Sequence, residues 1–304
     1  MIAPPGHSVR TAAKINLVLT VGPRGDDGYH EVATVLQTID LGDDLSVDAT
    51  DTGQVTLEVT GSVDTGPVED NLVVQAARMY LAEDGRGRSR ARRRGVRLRL
   101  AKRVPAGAGL GGGSGDAAAT LLLLARHLGD RHEPRRLMGM ARRLGTDVPF
   151  FLRGGLARGV GRGDRVRELA PLPPLPVLVM IPPFSLGTAA VYGWMDGLSL
   201  TSPRSQFTMR PVLAALRARR RAGPLNNHFQ DAVFRRYPEL AMAVSRMDEQ
   251  GALIAGLSGS GSALFGVFEH RRDADAVVAG WQRPDWTTVV SQTLDGPAYR
   301  ARFR

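Results

Sequence analysis

The chain has 304 residues, 43% of them apolar, and no cysteine, which excludes disulfides, thiolate chemistry and cysteine-based metal sites. Its formal net charge is +10, nearly all from arginine. That length predicts two domains, and the apolar content can fill two cores. The start, Met-Ile-Ala-Pro-Pro-Gly-His, has no apolar signal core, and no run approaches the ~18 apolar residues of a membrane span, so a cytoplasmic protein is expected.

The predicted elements begin with a strand over Ser8–Val21 and further strand patterning over Val32–Asp48 and Gln54–Thr60. Asn71–Glu83 reads as a helix with Leu72, Ala76, Met79 and Tyr80 on one face. A strand over Gly95–Val104, a glycine loop, a helix over Asp116–Leu128 and a second helix over Pro134–Leu144 follow. Phe150–Leu152 and Leu156–Val160 read as short strands. Proline density across residues 170–176 resists helix and sheet, which predicts a linker there between domains at 1–169 and 177–304. Beyond it come strands at Val177–Ile181, Ala252–Leu257, Ala263–Phe268 and Thr287–Leu294. Helices are expected at Gly187–Met195, Pro211–Arg219, Pro238–Gln250 and Asp273–Gly280. The pattern is α+β in both halves.

Much of the positive charge is concentrated at Arg86–Arg94, Arg217–Arg221 and the Tyr-Arg-Ala-Arg-Phe-Arg tail. Basic clusters draw nucleic-acid backbones, which keeps open a non-catalytic nucleic-acid-binding reading. The Arg86–Arg94 run has no aromatics for base stacking and lies where a solvated loop is expected, so nucleic acid is not the favoured partner. The charge also suits an anionic small substrate.

The most informative stretch is Pro105, Ala106, Gly107, Ala108, Gly109, Leu110, Gly111, Gly112, Gly113, Ser114 and Gly115, between a strand and an Ala/Leu helix. A glycine-rich turn feeding a helix start exposes backbone N–H groups beside the positive end of the helix dipole, a ready phosphate site. It is not a P-loop, because Gly113 stands where that motif needs lysine. Gly107-x-Gly109-x-x-Gly112 matches the dinucleotide fingerprint, but the residues after its helix are basic and look helical instead of forming the required acid-tipped strand. The protein-kinase His-Arg-Asp and Asp-Phe-Gly elements do not occur. A flexible linker is disfavoured by Leu110 within the loop and the apolar run Ala117–Leu124 after it.

Four other segments carry unusual chemistry, each with a plainer reading beside it. Ala13-Lys14-Ile15-Asn16-Leu17 puts Lys14 and Asn16 on one strand face, as a paired buried cation or as an edge lysine in solvent. Tyr29 and His30, after the Gly25–Gly28 turn, can stack on and hydrogen-bond a base, or simply begin a strand. Asp147, in Gly-Thr-Asp-Val-Pro-Phe-Phe-Leu (145–152), can take a hydroxyl proton beside Lys14, or merely cap a turn. Leu-Ser-Gly-Ser-Gly-Ser (257–262) permits close approach to a ligand or to the first loop, or is a hairpin connection.

Together these segments resemble the GHMP kinase superfamily, whose motifs they follow in order over nearly the whole chain. The glycine loop marks the superfamily; Lys-x-Asn and Gly-Tyr-His resemble its branch acting on a cytidine-diphosphate-linked polyol. The resemblance implies a two-domain fold, with a ribosomal-protein-like α/β domain followed by an α+β sandwich domain. It implies an ATP- and Mg²⁺-dependent alcohol kinase of non-mevalonate isoprenoid synthesis, phosphorylating the 2-hydroxyl of a methylerythritol unit, as a monomer or weak homodimer. Asp147 would be the base, Lys14 the cation beside it, and Asn16 a substrate-positioning group. Tyr29, His30 and Tyr192, with Thr188 of the same Gly-Thr-Ala-Ala-Val-Tyr segment, would bind the cytidine end. Residues 105–115 would cradle ATP, with Ser114 and Asp116 as metal candidates. Another small-alcohol kinase of the family is the nearer alternative. Two departures stand out: Ser114-Gly115-Asp116 lacks a hydroxyl that the family usually carries, and Asn227-His228-Phe229-Gln230 replaces its usual Asn-Asp-Leu-Glu.

Overall fold

The computed structural model describes residues 7–303 apart from 27, 62, 64, 84–94, 128–133 and 196–206. The basic Arg86–Arg94 run therefore lies outside the described residues. Three four-stranded sheets organise the rest. The first contains β1 (His7–Arg10), β4 (Asp44–Thr50), β6 (Gly95–Ala101) and β5 (Val55–Thr60), in that order. The second runs β2 (Ala13–Arg24), β3 (His30–Ile39), β7 (Leu156–Gly161), β8 (Arg165–Glu168). The third runs β10 (Ile254–Leu257), β11 (Leu264–Val267), β9 (Pro176–Ile181), β12 (Thr287–Gln292).

The first sheet packs on α1 (Leu72–Glu83), α2 (Gly112–His127) and α3 (Pro134–Leu144), through a core containing Leu98, Leu100, Tyr80, Leu121 and Met140. The second and third sheets share a core. Ile15, Leu17 and Val35 meet Val177, Val179 and Phe265 there, with Leu172 and Leu175 of the proline-rich segment buried among them. The other face of the third sheet is covered by α7 (Gln230–Arg236), α8 (Pro238–Glu249) and α9 (Arg271–Ala279), around Phe229, Leu240 and Phe268. Shorter helices are α4 (Val148–Phe151), α5 (Thr188–Gly193), α6 (Arg210–Arg217) and α10 (Gly296–Ala301).

Several elements differ from the sequence expectation. The single strand expected over Ser8–Val21 is two strands, β1 and β2, in different sheets, the patterning over Val32–Asp48 divides into β3 and β4, and β8, α7 and α10 lie where no element was expected. The predicted strand at Phe150–Leu152 is helix α4, with Pro149 in its first turn, where the missing N–H costs nothing. Helix α2 begins at Gly112 instead of Asp116, so part of the glycine loop is itself the helix start. Glycine is a poor helix former, but close packing demands it here. A methyl group at Gly115 would lie 2.5 Å from the Ala12 carbonyl oxygen, and one at Gly112 would lie 2.8 Å from Val104 Cγ1.

Strand β2 is an edge of its sheet, yet it is buried along most of its length. Its outer edge is covered by loops. The Lys14 N–H donates to Leu110 O at 2.8 Å, and the Leu19 N–H donates to Asn226 O at 2.8 Å. An edge that would otherwise invite another strand thus becomes the seam where the glycine loop docks.

Candidate active site

The glycine loop is held open by backbone conformation. Gly107, Gly109 and Gly111 all have positive φ (+68°, +77° and +69°), where other residues are strained. Gly109 is also pinned sterically, since a methyl group there would sit 2.1 Å from the Ser258 carbonyl oxygen. The first intrahelical bond of α2 runs from the Gly115 N–H to Gly111 O at 2.9 Å. The N–H groups of Gly112, Gly113 and Ser114 precede it, in the helix turn that has no acceptor within the helix. Ala106, Gly107 and Gly113 are exposed, so this end of α2 opens outward.

The 257–262 segment closes one side of the loop. The Ala263 N–H donates to Ala108 O at 3.0 Å, and Ser258 Oγ donates to Gly109 O at 2.9 Å. Close approach to the first loop is the reading that fits, although the segment also joins β10 and β11 as a hairpin. The departure at 227–230 supplies its scaffold. Asn227 Nδ2 donates to both Leu257 O and Gly259 O at 2.9 Å, and the Leu257 N–H donates to Gln230 Oε1 at 3.1 Å. His228 packs its ring nitrogen Nδ1 3.1 Å from the Val21 N–H, anchoring β2.

Lys14 is buried, not a solvent-facing edge lysine: it is 4% exposed. Its stem lies against the loop, since a methyl at Gly111 would come within 3.1 Å of Lys14 Cγ. Its ammonium donates to Asn16 Oδ1 at 2.6 Å and lies 3.7 Å from Asp147 Oδ2. Asn16 Nδ2 in turn donates to Thr34 Oγ1 at 2.8 Å. A register irregularity between Asn16 and Val18 lies beside this pair, the kind of bulge that re-aims side chains next to active sites. Burial drives the Lys14 pKa below its ordinary value, against the opposing pull of the Asp147 charge.

Asp147 occupies the N-cap position of α4, but its side chain makes no capping bond. It faces Lys14 and remains one-third exposed. The turn-cap reading therefore fails, and the carboxylate is open to a ligand while an ammonium stands beside it.

A cavity of about 440 Å³ reaches Thr146, the residue before Asp147, and is lined besides by Tyr29, His30, Arg162, Thr188 and Tyr192 among others. The four residues expected at the cytidine end thus share one cavity. His30 and Tyr192 have ring centroids 5.2 Å apart, and His30 Nδ1 is 2.8 Å from Gly22 O. A carbonyl only accepts, so Nδ1 is the donor in this contact. Burial, with a smaller contribution from the Asp147 charge, pushes the Tyr192 hydroxyl up to about 12. Thr188 Oγ1 and Ser260 Oγ are 3.2 Å apart, tying α5 to the 257–262 segment. Sequence reasoning missed Arg24, Thr146 and Arg162. The Arg162 guanidinium lies over the Tyr29 ring at 3.7 Å from its centroid.

Asp116, expected as a metal candidate, is placed elsewhere. It is fully buried, with one oxygen accepting from Thr11 Oγ1 at 3.0 Å and the other from Lys102 Nζ at 2.9 Å. No group of three or more His, Asp or Glu side chains suited to a metal ion occurs among the described residues. Ser114, half-buried in the first turn of α2, remains as a hydroxyl donor. These residues do not amount to a dedicated Mg²⁺ cage. Nor, among the described residues, is any helix long and apolar enough to cross a membrane.

Comparison with known proteins agrees with this geometry. The family model for the GHMP kinases N terminal domain matches residues 71–155, and that for the GHMP kinases C terminal matches residues 211–284. A 4-diphosphocytidyl-2-C-methyl-D-erythritol kinase of Pelotomaculum thermopropionicum is 39% identical, over 93% of this chain and 96% of the relative. One from Solibacter usitatus is 41% identical, over 97% and 91%. A crystal structure of 4-(cytidine 5'-diphospho)-2C-methyl-D-erythritol kinase superposes with a TM-score of 0.77 at 35% identity, covering 95% of this chain and all of that one. Mevalonate kinase of Methanococcus jannaschii, at 11% identity and a TM-score of 0.68, shares the fold. The chain belongs to the GHMP kinase family, alongside relatives that carry the name 4-diphosphocytidyl-2-C-methyl-D-erythritol kinase.

Proposed function

We propose that this chain transfers the γ-phosphoryl group of ATP to the 2-hydroxyl of 4-diphosphocytidyl-2-C-methyl-D-erythritol. The observation that carries this reading is a run of neighbours. Gly111 of the loop abuts the Lys14 stem, the Lys14 ammonium faces Asp147, and Thr146, next to Asp147 in sequence, lines the cavity of Tyr29, His30 and Tyr192. A phosphate site, a base with a cation, and a nucleobase-sized aromatic cavity are the three parts this reaction needs.

The cavity holds the cytidine end. The base packs against the Tyr29 and Tyr192 rings, while His30 Nε2 accepts from the exocyclic amine of cytosine. That anchoring leads the polyol past Thr146 to Asp147, which accepts the proton of the attacking hydroxyl. Lys14 stands beside the Asp147 carboxylate and faces the negative charge that spreads over the phosphoryl oxygens in the transition state. The N–H groups at the start of α2 receive the ATP phosphates. Mg²⁺ is held mainly by nucleotide phosphates in such sites, and Ser114 is the protein hydroxyl available to it. Asp116 is not, because its oxygens are committed inside the protein.

Tyr29→Ala and Tyr192→Ala test the cytidine assignment. Each should raise the KM for the cytidine-linked substrate by about 5- to 150-fold, in line with about 1–3 kcal/mol per stacked base, and leave the KM for ATP within about twofold. Equal losses for both substrates would overturn the assignment.

A further inference from the structure

Of the 40 basic residues in this chain, only Lys14 and Lys102 are lysines; all others are arginine. Lys14 belongs to the site already described. Lys102 is also buried, and nothing in the proposed chemistry uses it. In a chain that supplies arginine almost everywhere, a buried lysine marks a place where a compact ammonium with three donors is needed and a planar fork does not fit.

Lys102 lies between two buried carboxylates. Its ammonium donates to Asp43 Oδ2 at 2.5 Å and to Asp116 Oδ2 at 2.9 Å. Asp43 Oδ1 accepts the backbone N–H groups of Arg103 and Val104, at 2.5 and 2.8 Å, so it grips the chain where the glycine loop starts. Asp116 sits in helix α2, where the loop ends. Thr11 completes the ring: its hydroxyl donates to Asp116 Oδ1, and the Asp43 N–H donates to Thr11 Oγ1 at 2.9 Å. The two ends of the phosphate loop are therefore tied through one ammonium. Burial opposes the Lys102 charge, but the carboxylates outweigh it and raise its pKa. Burial pushes Asp116 up to about 7, against the pull of Lys102.

We propose that Lys102 is a positioning residue. With Asp43 and Asp116 it clamps the two ends of the glycine loop and so fixes the N–H groups that receive nucleotide phosphates. The proposal rests on the phosphate-loop reading given above. It separates from a plain stability role because the clamp acts on one substrate only. Lys102 touches neither the Tyr29–Tyr192 cavity nor Asp147.

The test uses two variants of the full chain. Lys102→Met leaves two carboxylates facing each other without their cation. The double variant Lys102→Met/Asp116→Asn restores the wild-type formal charge of the cluster but not the bridge. The double variant should fold. Its KM for ATP should rise about tenfold or more, while the KM for the alcohol substrate stays within about threefold, the kind of loss that follows misplacing a binding group by about 1 Å. Amide hydrogen exchange should quicken across residues 103–115 and not elsewhere. If the double variant keeps wild-type ATP KM and wild-type exchange at 103–115, the charge balance alone mattered and the clamp is overturned. A wild-type protein that binds no ATP or ADP in calorimetry would instead defeat the phosphate-loop reading. The exchange pattern would still decide whether Lys102 closes the loop.

Discussion

Replacing Asp147 with asparagine separates chemistry from folding. The variant keeps the size of the side chain and removes the proton acceptor. General-base catalysis contributes about 10²- to 10⁴-fold, so kcat should fall by that factor, equivalent to about 3–5.5 kcal/mol of transition-state stabilisation. The folding cost is smaller. Breaking a fully buried ion pair costs about 3–5 kcal/mol, but Asp147 is one-third exposed and 3.7 Å from the ammonium. Asn16 also keeps its 2.6 Å bond to Lys14. About 1 kcal/mol is therefore expected, a Tm decrease of about 2–4 °C. The assay is steady-state ADP release with both substrates saturating, set beside calorimetric ATP binding. Turnover should collapse while nucleotide affinity stays within about threefold of wild type. A variant that retains more than about one-tenth of wild-type kcat would refute Asp147 as the base.

Two further perturbations follow from the same geometry. Gly109→Ala should be severely destabilising, because a methyl there meets the Ser258 carbonyl at 2.1 Å and φ is +77°. Gly113→Ala meets nothing closer than Leu72 Cδ1 at 3.8 Å and lies in helix, so it should raise stability by up to about 1 kcal/mol. Any accompanying loss of ATP affinity in Gly113→Ala would come from the methyl reaching the phosphates; thermal melts and calorimetry report the two effects separately. Asp116 gives a pH signature. Its folded pKa, near 7, is raised above the ordinary 3.8, so the folded state holds a proton that the unfolded state releases. Its contribution to stability is full below about pH 4 and is lost as pH rises towards 7. Asp116→Asn should flatten that part of the stability–pH curve, and an unchanged slope in denaturant titrations would contradict the assignment.

Most of the site was legible in the sequence because its parts are local. A glycine run before an Ala/Leu helix, a lysine in an apolar strand, and a Tyr-His pair after a turn each carry their chemistry within a few residues. What joins them is not encoded locally. The pairing of Lys14 with Asp147 was expected from the family resemblance, since no periodicity links positions so far apart in sequence. The Lys102–Asp43–Asp116 cluster likewise joins residues 59 and 14 positions apart. The helix start at Gly112 was hidden because propensity argues against glycine, and only the tertiary approach of Ala12 and Val104 explains it. Phe150–Leu152 was read as strand because Phe-Phe-Leu is aromatic and apolar, while proline in the first turn of α4 decided otherwise. Strand β2 is an edge, as the plainer reading of Lys14 supposed, yet it does not put the lysine in solvent. It is an edge by hydrogen bonding and an interior position by burial, because the glycine loop itself covers it.

The central claim is that one cavity selects a cytidine-linked alcohol for the Lys14–Asp147 pair. It is tested most directly by comparing kcat/KM for ADP release across four acceptors: 4-diphosphocytidyl-2-C-methyl-D-erythritol, homoserine, mevalonate and galactose. A site built to hydrogen-bond and stack a base rejects acceptors lacking it by about 10⁴-fold or more, and that margin is the predicted result. Comparable turnover of any of the other three acceptors would contradict the account.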